Sequence, residues 1–172
     1  GFALHYCRSL ETVVIGNGVK SIGQYAFQAC SSLKTVSIGD SVTTIDGSAF
    51  RDCSSLESVN IPASVTHMDG STGGWTFYGC SSLSSVTFGN GTSLSAGKNT
   101  FKNSYRLRNI RIGTRGDISF GSGSFDNVTN INNLIMHRSL TSVSGLPDYL
   151  NKRYICRITR KFCGCQGGYG NV

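Results

Sequence analysis

The seven cysteines carry the widest chemical repertoire in this chain. Thiolates bind metals, attack carbonyls and close disulfides. Four of them, Cys7, Cys30, Cys53 and Cys80, fall on one position of a repeating pattern. That placement predicts an inward column of small buried thiols. A column does not converge on a point, so it does not suit a metal ion. A disulfide within it is the weaker reading, because same-facing residues on successive turns have poor bridge geometry. Cys156, Cys163 and Cys165 stand apart. They suit a metal site or a disulfide but lack an evident fourth ligand, and the favoured reading gives them no catalytic duty.

Other reactive groups are scattered. His5, His67 and His137 fall on different repeats, and no Gly-x-Ser-x-Gly, His-Glu-x-x-His or Walker-type loop is present. Gly121-Ser122-Gly123-Ser124 lacks the lysine and the strand-to-helix setting of a phosphate loop and reads as a turn. Asp46 and Asp69 are 23 residues apart, a spacing the repeat explains without any chemistry. The expectation is a protein that is not an enzyme and holds no cofactor or metal.

Recognition chemistry is better represented. Trp75, the only tryptophan, lies in a Gly-rich insertion within residues 70–76, and insertions in repeats often carry binding. Arg106, Arg108, Arg111 and Arg115 follow two repeats later. Arg108 and Arg111 are expected near a strand and Arg115 in the turn after it. Together these five residues suit contact with a carboxylate, sulfate or phosphate group. The competing reading folds Trp75 back over the backbone of its own insertion.

These residues are positioned by a 23-residue period. Phe27-x-x-Cys30-Ser31-Ser32-Leu33-x-x-Val36-x-Ile38-x-x-x-Val42-x-x-Ile45 becomes Phe50, Cys53, Ser54, Ser55, Leu56, Val59, Ile61, Val65 and Met68 one period later. Leu4, Cys7, Leu10, Val13, Ile15, Val19 and Ile22 lie one period earlier, so the sequence opens inside a repeat. Phe77, Phe101 and Phe125 begin later units at 24-residue spacing, after a four-residue insertion. Six units are visible, fading near Gly145. Leu33-x-x-Val36-x-Ile38 ends in the alternation of a short strand, and Gly39-Asp40-Ser41 is a turn signal. Val42-x-x-Ile45 is a second apolar pair. Ala26-Phe27-x-x-Cys30 suits one helical turn or a second bend. A lone unit loses more conformational entropy than its apolar side chains return, so neighbours must share a core. If Val36 and Ile38 point inward, Thr35 and Ser37 and their repeat equivalents form a small, polar outer face. That face gains arginine only at the fifth unit.

The stretch AFxxCSSLxxVxI resembles the leucine-rich repeats of the BspA-like type, also known from treponemal surface proteins. The resemblance spans residues 4 to about 143. It implies a right-handed leucine-rich repeat solenoid of about six 23–24-residue turns, strand-rich, with a concave parallel β-sheet and short helical turns. It further implies a surface role, with adhesion to host matrix or other cells as the usual proposal. The family's cysteine is missing at Ser104 and Val128, and residues 92–97 also depart, so those rungs are expected to be distorted. Two segments result: a solenoid over 1–146, and a C-terminal cap or basic tail over 147–172. The tail alternates like a strand from Tyr154 to Thr159.

Net charge is +7 and uneven. Residues 1–100 hold five Lys/Arg against six acids, and residues 101–172 hold eleven against three. A basic half steers acidic partners, although lysine and arginine also simply solubilise exposed turns. No apolar run is long enough for a membrane span. A signal peptide is not evident either; any targeting segment is expected upstream. The reading is an extracellular or cell-surface binding or adhesion module, monomeric, whose ligand is a protein or an anionic glycan on host or neighbouring cells. Nucleic acid is the less favoured partner. The alternative is a spacer that presents another domain of a longer surface protein.

Overall fold

The computed structural model describes residues 2–69, 73–91, 93–137 and 140–151. Each repeat contributes two short strands. The Leu-x-x-Val-x-Ile segments form β1 (Thr12–Ile15), β3 (Thr35–Ile38), β5 (Ser58–Ile61), β7 (Ser85–Phe88), β9 (Asn109–Ile112) and β11 (Asn133–Met136). The second apolar pair of each unit is also a strand: β2 (Ser21–Ile22), β4 (Thr44–Ile45), β6 (His67–Met68), β8 (Leu94–Ala96), β10 (Asp117–Phe120) and β12 (Ser142–Ser144). All pairings are parallel and in register with the repeat, as in Thr12 opposite Thr35 and Asn109 opposite Asn133. The even-numbered strands form one continuous six-stranded sheet. The odd-numbered strands form β1–β3 and β5–β7–β9–β11. Pro62 helps to explain this break. At the equivalent place in later rungs, Gly89, Gly113 and His137 donate N–H groups to the preceding rung, and proline has none to give.

A third side closes each rung. Here the sequence left one helical turn or a bend open, and the structure has a chain of tight turns. Their N–H groups reach the next rung: Phe27 donates to Ala49, Phe50 to Thr76, Phe77 to Thr100 and Phe101 to Ser124. Two residues per turn, four apart, take left-handed backbone: Tyr25 and Ala29, Ser48 and Asp52, Trp75 and Gly79, Asn99 and Asn103, Gly123 and Asn127. That conformation costs an L-residue about 1–2 kcal/mol. The forward-running hydrogen bonds and the packing beneath them offset the cost.

Between the three sides lies one core. Phe27, Phe50, Phe77, Phe101 and Phe125 stack as a column, with successive ring centroids 5.2, 5.2, 5.7 and 5.7 Å apart. Of the expected column of four thiols, Cys30, Cys53 and Cys80 are fully buried, whereas Cys7, in the first of the described rungs, is only half-buried. Their thiols are fixed by hydrogen bonds, with Cys53 Sγ donating to the Phe27 carbonyl at 3.1 Å and Cys80 Sγ to that of Phe50 at 3.2 Å. Ser104 keeps the same bond, donating from Oγ to Phe77 at 3.3 Å. Its rung therefore keeps its place where distortion was expected. Val128 fills the position in the last rung as a buried apolar side chain. Beyond β12 the chain passes Leu146 and turns into α1 (Asp148–Asn151), and Leu146 and Leu150 are both buried in the core. Tyr149 Oη donates to the Val128 carbonyl and accepts from Ile131 N–H. Residues 152–172, with Cys156, Cys163, Cys165 and most of the expected cap or tail, lie outside the described residues.

Candidate functional site

The outer face of the odd-numbered sheet carries two rows of side chains, because alternate residues of a strand point to opposite faces. Val13, Val59, Val86, Ile110 and Leu134 point into the core. One outward row reads Thr12, Thr35, Ser58, Ser85, Asn109, Asn133, and the other reads Val14, Ser37, Asn60, Thr87, Arg111, Ile135. Neighbours in the first row bond across rungs. Thr35 Oγ1 donates to Thr12 Oγ1 at 3.2 Å, and Asn133 Nδ2 donates to Asn109 Oδ1 at 2.6 Å.

Arg111 is the centre of relief on this face. A recess of about 380 Å³ is bounded by Ser85, Thr87, Asn109, Ile110, Arg111, Asn133 and Ile135. A second recess of about 300 Å³ continues past Arg111 and Ile135 to Asn90, Gly113, Met136 and His137. The ion pairs among the described residues are Lys34–Glu11, Arg51–Asp52 and Lys102–Asp126. Arg111 belongs to none of them and is exposed. Its guanidinium is a ready donor to a planar anion. Beside it Ile135 is 52% exposed, an apolar side chain open to a ligand.

The other sequence-derived candidates are distributed differently. Arg108 precedes β9 and folds back on its own turn, with Nη1 donating to the carbonyls of Tyr105 at 2.9 Å and Leu107 at 3.1 Å. It also stands near Tyr149, whose phenol is pushed above its ordinary pKa chiefly by burial, against the opposing pull of Ile131 N–H and the Arg108 charge. Arg106 is exposed in the turn before β9, and Arg115 is exposed in the loop after it, its N–H donating to Gly91. Trp75 is on another side of the coil. It occupies a left-handed position of the turn side (φ 61°), with its N–H donating to the Lys98 carbonyl and the Lys98 ammonium 5.5 Å from its ring centroid. Gly74, at φ 143°, lets the chain pass so close to Lys98 that a Cβ there would strike the Lys98 backbone. The insertion thus seats Trp75 against the next rung, apart from Arg111. Ile135, Asn133 and Thr87 complete the Arg111 recess. The outward-row alternation placed them on this face, but only the depth of the recess marks them as lining.

The cysteines give no reactive centre among the described residues. Burial raises the Cys53 and Cys80 thiols well above their ordinary pKa of 9.0, and Cys30 is raised for the same reason, so these three thiols stay protonated at neutral pH.

Stacked parallel rungs sharing one core, with their variable residues turned outward, define a leucine-rich repeat solenoid. The family model described as the BspA type leucine rich repeat region matches residues 1–72 and 70–146 in six copies, and the chain belongs to this family. A leucine-rich repeat protein of T. pallidum is similar in structure, with a TM-score of 0.72 and 26% identity over 88% of this chain and 72% of its own. Leucine-rich repeat proteins of Eubacterium ventriosum and Bacteroides ovatus share the fold. Their TM-scores are 0.63 and 0.52 and their identities 18% and 22%. The chain spans 34% and 42% of those two proteins. No curated protein matches the chain. Among the described residues no helix is long and apolar enough to cross a membrane. Family and fold suggest a protein-binding repeat module of a typically non-catalytic kind.

Proposed function

We propose that the chain is a non-catalytic binding or adhesion module at a cell surface or outside the cell, contacting a protein or an anionic glycan. The outer face of β7, β9 and β11 is the contact face. One observation carries this reading: an exposed guanidinium with no carboxylate partner among the described residues sits where two recesses of that face meet. Arg106, Arg108 and Arg115, in the segments before and after β9, add positive charge to this part of the chain, which steers anionic partners at low salt. Trp75, backed by Lys98, is a separate contact on the turn side.

Attachment of the purified chain to immobilised extracellular-matrix proteins, sulfated glycans and intact cells tests the proposal. Arg111→Glu should weaken whichever attachment is found by at least about tenfold, since truncating a charge-paired contact costs about 2–5 kcal/mol. Trp75→Ala should have a smaller effect. Attachment unchanged by Arg111→Glu would remove this face as the site. Absence of any specific attachment would favour a spacer.

A further inference from the structure

Arg111 and Ile135 are directly opposed across β9 and β11, and Thr87 and Arg111 across β7 and β9. One row therefore presents a hydroxyl, a guanidinium and an exposed aliphatic side chain on successive strands whose backbones lie about 4.8 Å apart. Alongside runs the asparagine pair. Asn133 donates one amide N–H to Asn109 Oδ1, and Asn109 donates from Nδ2 to the Ser84 carbonyl at 3.4 Å. The Asn133 Oδ1 is left as an acceptor on the rim of the recess.

Resting on the reading that this face binds a protein, we propose that the recess takes the C-terminal residue of an extended polypeptide whose last side chain is aliphatic. The free α-carboxylate lies on Arg111 and accepts from Thr87 Oγ1. The aliphatic side chain packs on Ile135, and the terminal residue's N–H donates to Asn133 Oδ1. Spacing favours this over an internal acidic residue. The α-carboxylate and the side chain of a terminal residue spring from one Cα, so they lie within roughly 4 Å of each other. In an internal strand, same-side neighbours are two residues apart, roughly 6.6 Å. The one-rung interval between Arg111 and Ile135 fits the first arrangement. Polarity fits too: the recess includes Arg111 and Thr87 as donors to the anion, Ile135 as an apolar contact and Asn133 Oδ1 as an acceptor, which suits a terminal Leu, Ile or Val.

The test is fluorescence anisotropy of the intact chain with dye-labelled Gly-Ser peptides ending in Leu, Ile or Val. Each is made as the free acid and as the C-terminal amide. A Gly-terminated free acid and an amidated peptide with an internal Asp two residues before Leu serve as controls. The aliphatic free acids should bind, and their amides should bind at least about tenfold more weakly. Arg111→Ala should erase that difference. Ile135→Ser should weaken the aliphatic acids severalfold but leave the Gly-terminated peptide unchanged. Equal binding of acid and amide, tighter binding of the internal Asp peptide, or no binding of any peptide at millimolar concentration would each overturn the proposal. If Arg111→Glu still abolishes attachment to a protein while these peptides fail, the terminal-residue assignment falls and the binding face stands. If neither responds, both fall.

Discussion

The rungs before the insertion and the rungs after it solve one packing problem with different chemistry. Over residues 2–68 the small inner positions are Ala26, Ala49, Cys30 and Cys53, and Ser48 is the one buried polar residue other than cysteine. Over residues 73–150 Thr76, Thr100, Ser104, Thr114 and Ser124 are buried. Each has a hydrogen bond: Thr76 Oγ1 donates to Met68 at 2.8 Å, Thr100 Oγ1 to Gly97 at 2.6 Å and Ser124 Oγ to Gly121 at 2.7 Å. The outer face changes in step, from mainly short hydroxyls, with Val14 and Asn60 among them, to a face with Asn109, Asn133, Arg111 and exposed Ile135. Uniform small residues hold a regular coil. Hydroxyl stitching lets a 24-residue rung carry an extra loop residue and still satisfy its backbone, and those are the rungs that bear the recess.

The sharpest way to break the comparison is through the column both halves share. Phe77 is fully buried between Phe50 and Phe101, at the junction of the halves. Phe77→Ala should cost about 3–5 kcal/mol in urea unfolding and uncouple the halves into two transitions. A single unshifted transition would mean that they do not communicate through this ring.

pH should act next on the thiol column, which runs from the first half into the second. Cys53 and Cys80 keep their protons in the folded chain, whereas unfolded thiols release them near the ordinary value of 9.0. The unfolded state then binds fewer protons, so stability is unaffected below about pH 9 and falls as pH rises towards the elevated folded-state values. The limiting slope is about 1.4 kcal/mol per pH unit for each thiol. Cys53→Ser/Cys80→Ser should flatten that decline in urea unfolding at pH 8 and 10. An equally steep decline in the double variant would place the titration elsewhere.

The smallest effect tunes the regular half alone. Ala29 sits at φ 58°, so Ala29→Gly should stabilise by about 0.5–1 kcal/mol, with relief of left-handed strain outweighing glycine's entropy. Destabilisation would mean that the methyl group packs usefully.

Most of the coil was legible in the sequence because each rung restates the last. Phe27, Phe50 and Phe77 announce a column by their spacing, and Leu33-x-x-Val36-x-Ile38 announces a strand by its alternation. Val42-x-x-Ile45 announced only an apolar pair, since two-residue strands are too short to show a period. The left-handed turns were hidden because Tyr25, Ala29 and Trp75 are residue types that rarely adopt that backbone; tertiary hydrogen bonds impose it. Arg108 and Arg111 looked alike, three residues apart beside one strand. Their separation depends on Arg108 finding carbonyls in its own turn, a contact that no spacing reveals.

The backbone hydrogen bonds that link the left-handed turns run one way, from the N–H of one rung to the carbonyl of the next, with Lys98 N–H, donating back to Gly73, as the exception. A cut through that side exposes acceptors on one surface and donors on the other, like the two halves of a press-stud. Matching surfaces engage in a single orientation, and mirror-wise stacking would set donor against donor. The coil has a direction as definite as that of the chain that builds it, and a rung can be added or lost only in the sense in which its neighbours already run.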